Sequence, residues 1–402
     1  MGAATAAALL VAPAVADEDS IGVEIDQVQL GNVLSNLDVE IPGRAKEAVA
    51  TSTAVGNAAT GLVTQGDVDF NAVQSQSGIV SAYSSIEGGS ARQTITTTTA
   101  YGNSATGGTW SGNTYYNAEQ TSEGLVEAET VINLERTRTA VSATTAIANV
   151  SVPSNEYGEG AAFQVQKANG SVTSSTDIDI DRVRRSASFG TTAGGNAVSS
   201  TGTTSTNYNG AVQTTATGET IVASTDVYIG QARDALAATT AFGNSATVHN
   251  EWGYATLGRE GSELFQGNDA DIDSQTYVTL DNWNGYATSS AYGVGNAATI
   301  SNVGSDTGLF AVQNNYGTVY SSANFNGGSG SGDAIVTSTA IGNAATATLC
   351  NICGDAALHG RTQQYNNGSV IAQGGVTVGQ AGSVYGAATA VGNSATYQSN
   401  GQ

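Results

Sequence analysis

One octapeptide, written eight times over, constrains this chain more than any other feature. It reads TAVGNAAT from Thr53, TAYGNSAT from Thr99, TAFGNSAT from Thr240, TAIGNAAT from Thr339 and TAVGNSAT from Thr389. A variant, YGVGNAAT, begins at Tyr292, and degenerate copies TAIANVSV and TAGGNAVS begin at Thr145 and Thr192. The residue before each Asn falls at 56, 102, 148, 195, 243, 295, 342 and 392, in steps of 46, 46, 47, 48, 52, 47 and 50. Self-similarity at such a period is the signature of a repeat architecture, in which each unit buries its inward face only against its neighbours.

A second motif, Gln-x-x-x-Gly-x-Val, lies about halfway through the units. It occurs at Gln74/Gly78/Val80, Gln120/Gly124/Val126, Gln166/Gly170/Val172, Gln313/Gly317/Val319 and Gln364/Gly368/Val370, with a looser copy at Gln213/Gly218. From the marker to this Gly the gap is 22 residues in units one, two, three and six. Each unit of about 48 residues therefore divides into two halves, each of a size to make one coil. Between the Gly and Asn positions stand short β-branched and aromatic runs such as Thr225–Ile229, Tyr277–Leu280 and Val376–Val378, which suit strands. Proline, which would break backbone pairing, occurs only at 13, 42 and 153.

These patterns predict an all-β chain, a repetitive β-solenoid (β-helix or β-roll) of about 48-residue units, two coils to a unit, with amyloid-like stacking. Fourteen to sixteen coils would make a rod on the order of 70 Å long at about 4.8 Å per coil. Ala and Val of AVGNAAT are expected to point inward by turns. Thr, Asn and Gln would form ladders along the stack, with Gly56, Asn57, Gly102, Asn103, Gly243, Asn244, Gly295, Asn296, Gly342, Asn343, Gly392 and Asn393 as one set and Gln74, Gln120, Gln166, Gln313 and Gln364 as the other. The competing architecture is a disordered chain, since Gly, Ser and Thr abound; the regular spacing argues for order.

Composition fits a thin core. Charged residues make up 11% of the chain, against about 25% in ordinary globular domains. The 40% apolar fraction is mostly Ala and Val, with 7 Phe, 3 Trp and 1 Met. The formal charge is −22 with two lysines, Lys46 and Lys167, which argues against nucleic acid, because counterion release needs basic surface. Residues 1–16, MGAATAAALLVAPAVA, carry an apolar stretch and the cleavage-type triplet Ala14-Val15-Ala16 of a secretory signal, without a basic start. Residues 17–50 are more conventionally apolar and read either as an N-terminal cap or as first strands, and 51–402 as the repeat region.

The repeated [TS]-A-[VIYF]-G-N-[AS]-A-T units, with the signal-like start, resemble the holdfast attachment protein HfaD family of stalked alphaproteobacteria, over about 51–402. The resemblance implies an exported, outer-surface anchor tying an adhesive polysaccharide holdfast to the cell envelope. It also implies a companion anchor protein, a curli-like outer-membrane secretion lipoprotein, and self-association into amyloid-like assemblies. AVGN-x-A-T is similar, too, to the head motif of trimeric autotransporter adhesins, and Gln/Asn/Gly repeats to curlin subunits; both offer a surface adhesin as the alternative.

Chemistry is sparse. Cys350-Asn351-Ile352-Cys353 falls in a local insertion and, in an exported chain, reads as a small disulfide loop. Asp177, Asp179 and Asp181, and likewise Asp269, Asp271 and Asp273, alternate along a strand and could hold Ca²⁺ between coils, though Arg182, Arg184 and Arg185 could neutralise the first set. No other cofactor is expected. A polysaccharide-modifying β-helix enzyme needs a nucleophile with a base or a placed carboxylate pair, and no such set stands out. Tyr115, Tyr116, Tyr286, Tyr292, Trp110, Trp252 and Trp283 could stack on sugar rings if exposed. The sequence thus points to a structural, non-catalytic surface protein.

Overall fold

The computed structural model describes residues 21–351 and 356–401; the signal-like segment 1–16 lies outside them. Nearly all of the described chain is strand, and the strand pairings are parallel. The first seven strands are β1 (Ile21–Gln29), β2 (Val33–Val63), β3 (Val68–Gln76), β4 (Val80–Ser111), β5 (Thr114–Ser122), β6 (Val126–Ala168) and β7 (Val172–Thr203). β1 pairs with β3 and β3 with β5, while β2 pairs with β4, β4 with β6 and β6 with β7. Residues 21–50 pair in register with the following unit, as the first layer of the same stack.

Each residue lies opposite its counterpart one whole repeat away. Ala54 faces Ala100, Ala100 faces Ala146, and Ala146 faces Ala193. This overturns the expectation of two stacked coils per unit. The Gln-x-x-x-Gly halves do not sit on the Gly-Asn halves; they form the opposite wall of the same layer. The physical reason is that identical side chains satisfy one another when stacked, and only a whole-unit offset brings like onto like. Eight layers, one per octapeptide, then give a height of roughly 35 Å at the ordinary strand spacing, half the length expected.

Within a layer the chain doubles back on itself. Ser52 donates from Oγ to the carbonyl of Ser35 at 3.0 Å, so the run after residue 48 faces the run before 41. The space between them is filled by a column of Ile86, Ile132, Ile178, Val227, Val278 and Phe325, each directly above the last and all buried. Stacked β-branched side chains pack well on a pleated surface, and each buried one contributes about 1.5–3 kcal/mol. Towards the octapeptide the core is richer in alanine, with Ala54, Ala100, Ala146, Ala193, Ala241 and Ala340 packed with Val80, Val126, Val172, Ile221, Ile272 and Val319. Val55 is not part of it: Ala54 and Ala59 point inward and Val55 lies half-exposed, against the expected alternation of Ala and Val.

A corner explains that outcome. From Ala48 to Ala54 every second residue is buried, but after Gly56 the buried set restarts at Asn57 and Ala59. The Gly-Asn dipeptide shifts the in/out phase by one and turns Asn inward. The layer above favours glycine here, because a Cβ on Gly56 would stand 2.5 Å from the carbonyl oxygen of Gly102. The second motif makes a bend without that phase shift, and there a Cβ on Gly124 would stand 2.0 Å from the carbonyl of Gly78. Both motifs mark places where successive backbones come close and glycine is favoured, with Ala148 and Ala270 as the substitutes in one layer each.

Candidate functional site

The inward turn at Gly-Asn builds the first of two side-chain columns. Asn57 donates from Nδ2 to Oδ1 of Asn103, Asn103 to Asn149, Asn149 to Asn196, Asn196 to Asn244, Asn244 to Asn296, Asn296 to Asn343 and Asn343 to Asn393, each at 2.8 Å. The second N–H of each amide crosses the layer to a backbone carbonyl on the opposite wall: Ser75 for Asn57, Thr121 for Asn103, Thr214 for Asn196, Asn314 for Asn296. One side chain therefore ties together two layers and two walls. Asn103, Asn149, Asn196, Asn244, Asn296 and Asn343 are fully buried. Their donors are satisfied, so the low-dielectric interior strengthens these bonds where it would penalise an unpaired amide.

The second column is made of glutamines and runs the other way. Gln74 donates from Nε2 to Oε1 of Gln27, Gln120 to Gln74, Gln166 to Gln120 and Gln213 to Gln166, each at 2.8 Å. It continues through Gln266 at 2.7 Å to Gln313 and Gln364. Here also the spare N–H crosses the layer, from Gln120 to the carbonyl of Val150 and from Gln364 to that of Ser394. Asn donates towards the later layer and Gln towards the earlier one.

A third column is made of threonine, a ladder expected from the residue type and not by position. Thr98, Thr130, Thr144, Thr176, Thr191, Thr225, Thr239 and Thr276 form a zigzag of hydroxyl–hydroxyl bonds of 2.7–2.8 Å, alternating between facing walls. All eight are buried. They form a polar seam between the large-residue core and the alanine-rich core. Their places are regular: Thr98, Thr144, Thr191 and Thr239 each directly precede an octapeptide, and Thr130, Thr176, Thr225 and Thr276 each lie four residues after Val126, Val172, Ile221 and Ile272 at the second motif. Asn149 and Asn196 stand in the degenerate octapeptides, which keep the Asn while losing much around it. Gln27 belongs to a further copy of the second motif, Gln27/Gly31/Val33, and Gln266 to one in which Ala270 replaces the Gly.

Other candidates separate. Among the described residues no group of three or more His, Cys, Asp or Glu converges as a metal site. Asp177 lies opposite Asp226 while Asp273 lies opposite Val222, so the two aspartate sets occupy different columns. Burial and the neighbouring Asp177 raise the Asp226 carboxyl above its usual range, and burial raises Asp273. Arg182, Arg184 and Arg185 form no ion pair with these aspartates. Cys350 is half-buried, and Cys353 lies outside the described residues. Of the aromatic candidates, Tyr116 and Trp283 are buried, Tyr292 is half-buried, and Tyr115, Tyr286, Trp110 and Trp252 are exposed.

The architecture and its ladders define a class: repetitive all-β structural proteins whose parallel layers are locked by stacked side-chain amides. The family model described as holdfast attachment protein D matches residues 2–94 and 42–318, and the chain belongs to that family. No curated protein matches it. No solved structure matches it either. The family is named for attachment of the holdfast, a structural role at the cell envelope, and attachment entails contact with holdfast polysaccharide.

Proposed function

We propose that this chain is an exported cell-surface anchor, a β-solenoid that holds an adhesive polysaccharide to the outer membrane. The observation that carries this reading is the pair of amide columns running unbroken through eight layers in a chain of the holdfast attachment family. An attachment device must transmit shear without unfolding. Each layer here is held to the next by backbone pairing and by interlayer amide bonds from both columns, so a pull must break many bonds together. Parallel stacking of like on like also suits self-association between copies, with a companion anchor protein and a secretion lipoprotein of the curli type as further partners.

Removing the coding gene from a holdfast-bearing cell tests the reading. Cells should shed holdfast into the medium under flow, and complementation should restore retention. Retention equal to that of the parent strain would sink the proposal. Surface labelling of intact cells, expected to mark the holdfast-bearing region, checks the location.

A further inference from the structure

The whole-unit register has a consequence for charge. Eight of the 12 basic residues, Arg44, Lys46, Arg92, Arg136, Arg138, Arg182, Arg184 and Arg185, gather at one corner of the first four layers. Arg136 lies opposite Arg182, and Arg44 shares their column through Ser90. Lys46 and Arg92 sit between the aligned pairs Ala45–Ala91 and Glu47–Gln93, and Arg92 and Arg138 between Ala91–Thr137 and Gln93–Thr139. Opposite Arg138, a shift in register makes room for both Arg184 and Arg185. Cations thus repeat at the strand spacing of about 4.8 Å. Seven of the eight are exposed and Arg138 is half-exposed, around a groove of about 360 Å³ lined by Arg44, Arg92, Arg136, Arg138 and Arg184.

Like charges stacked directly above one another destabilise a sheet. None of the eight forms an ion pair with a described residue. The Arg138 guanidinium is held below its usual value, first by Arg185, then by partial desolvation and by Arg92 and Arg184. In the next layer Arg233 is met by its own neighbour Asp234 at 3.4 Å, and there the strip ends. On a chain of net charge −22, such a concentration of unpaired cations calls for an external anion.

From this geometry, and resting on the anchoring role proposed above, we infer that the arginine corner is the binding strip for a carboxylated polysaccharide running along the stack. Three features select such a partner. The strip is about one corner wide and lies beside Glu40, Glu87, Glu135, Asp179 and Asp181, which would repel a bilayer surface or a nucleic-acid duplex and leave room only for a narrow polymer. Its charges repeat at nearly the rise per ring of an extended glycan, so successive uronate groups meet successive layers. Guanidinium, present in seven of the eight residues, is the group that pairs carboxylates through two parallel hydrogen bonds.

Binding of the full chain to polygalacturonate, with dextran as the neutral control, tests this across a salt series. Wild-type affinity should fall steeply with salt, with a log–log slope of about 3 for four to five neutralised anions. A variant carrying Arg92→Gln, Arg136→Gln, Arg138→Gln and Arg184→Gln, checked for unchanged circular dichroism and sedimentation, should bind at least about tenfold more weakly. Arg233→Gln with Arg361→Gln, both ion-paired in the wild type, should bind as wild type. Equal binding by the fourfold variant, binding of dextran as tightly as polygalacturonate, or tighter binding of duplex DNA or of lipopolysaccharide vesicles would each overturn the assignment. So would loss of a wild-type oligomer in the variant, which would make a second copy the occupant. In cells, the fourfold variant should shed holdfast as the gene deletion does. Retention in the variant with shedding in the deletion would remove this strip and leave the anchoring role standing.

Discussion

At the scale of residues, the two asparagines in the degenerate octapeptides are the sharpest test of the ladder. Asn196 donates to Asn244 and to the carbonyl of Thr214, and accepts from Asn149, all without contact with water. Asn196→Ala would leave a buried donor and two buried acceptors short of a partner, a cost of about 2–4 kcal/mol at about 1–3 kcal/mol for each unsatisfied group once relaxation is allowed. Asn117 makes the same kind of bond, to Asn71 at 3.1 Å, but on the exposed face. Asn117→Ala should cost less than about 0.5 kcal/mol, since water replaces the lost partner. Equal losses for the two in a denaturant titration would show that the column contributes nothing special. The ladder asparagines and glutamines were legible in sequence because each repeats within a fixed motif. The threonine seam was legible only as a residue type, because its members alternate between two walls: Thr98, Thr144, Thr191 and Thr239 stand just before the octapeptides, and their partners stand four residues after the second motif.

Elements tell the same story about what repeats reveal. The period of 46 to 52 residues was plain in the spacing of Gly-Asn markers, but how many coils it spans was not. The half-unit spacing of the glutamine motif looks like a second coil until Asn57 is seen to reach across to Ser75, 18 residues on and within the same layer. Spacing gives distances along the chain and is silent on which strand lies above which. The same applies to the cations: Lys46, Arg92, Arg138 and Arg184 step by 46 in the sequence, yet only the register makes them a column. A deletion separates the two arrangements. Removing 103–148 takes out one whole unit and places Asn149 directly after Gly102, so Asn57 can pair with Asn149. This variant should stay soluble and unfold cooperatively, with a modestly lower denaturant midpoint, since repeat stability is a sum over neighbours. Removing only 103–126 breaks the match of like residues and should give an aggregated or unfolded chain. Cooperative folding of the half-unit deletion would favour two coils per unit after all.

For the molecule as a whole, the acidic surface sets the response to pH. Burial, then Glu127 and Asp177, hold the Glu129 carboxyl above its usual range, as burial and Asp177 do for Asp226 and burial does for Asp273. A carboxyl whose folded value is raised takes up its proton in the folded state before the unfolded one. Stability is therefore gained as pH falls through the folded values, and the gain is complete below the unfolded values of about 3.9 for Asp and 4.3 for Glu. The melting temperature should rise on going from pH 7 to pH 5, and added salt at pH 7 should reproduce part of the rise by screening. A melting temperature that falls steadily over that interval would contradict this account.

Because the asparagine amides donate towards later layers and the glutamine amides towards earlier ones, their dipoles point in opposite directions along the axis. An α-helix accumulates roughly half a charge at each end as its peptide units align, and a stack with a single amide column would build a comparable axial polarity. Here the two rows offset each other layer by layer, so a longer structure of this kind would grow without an increasing field at its tips.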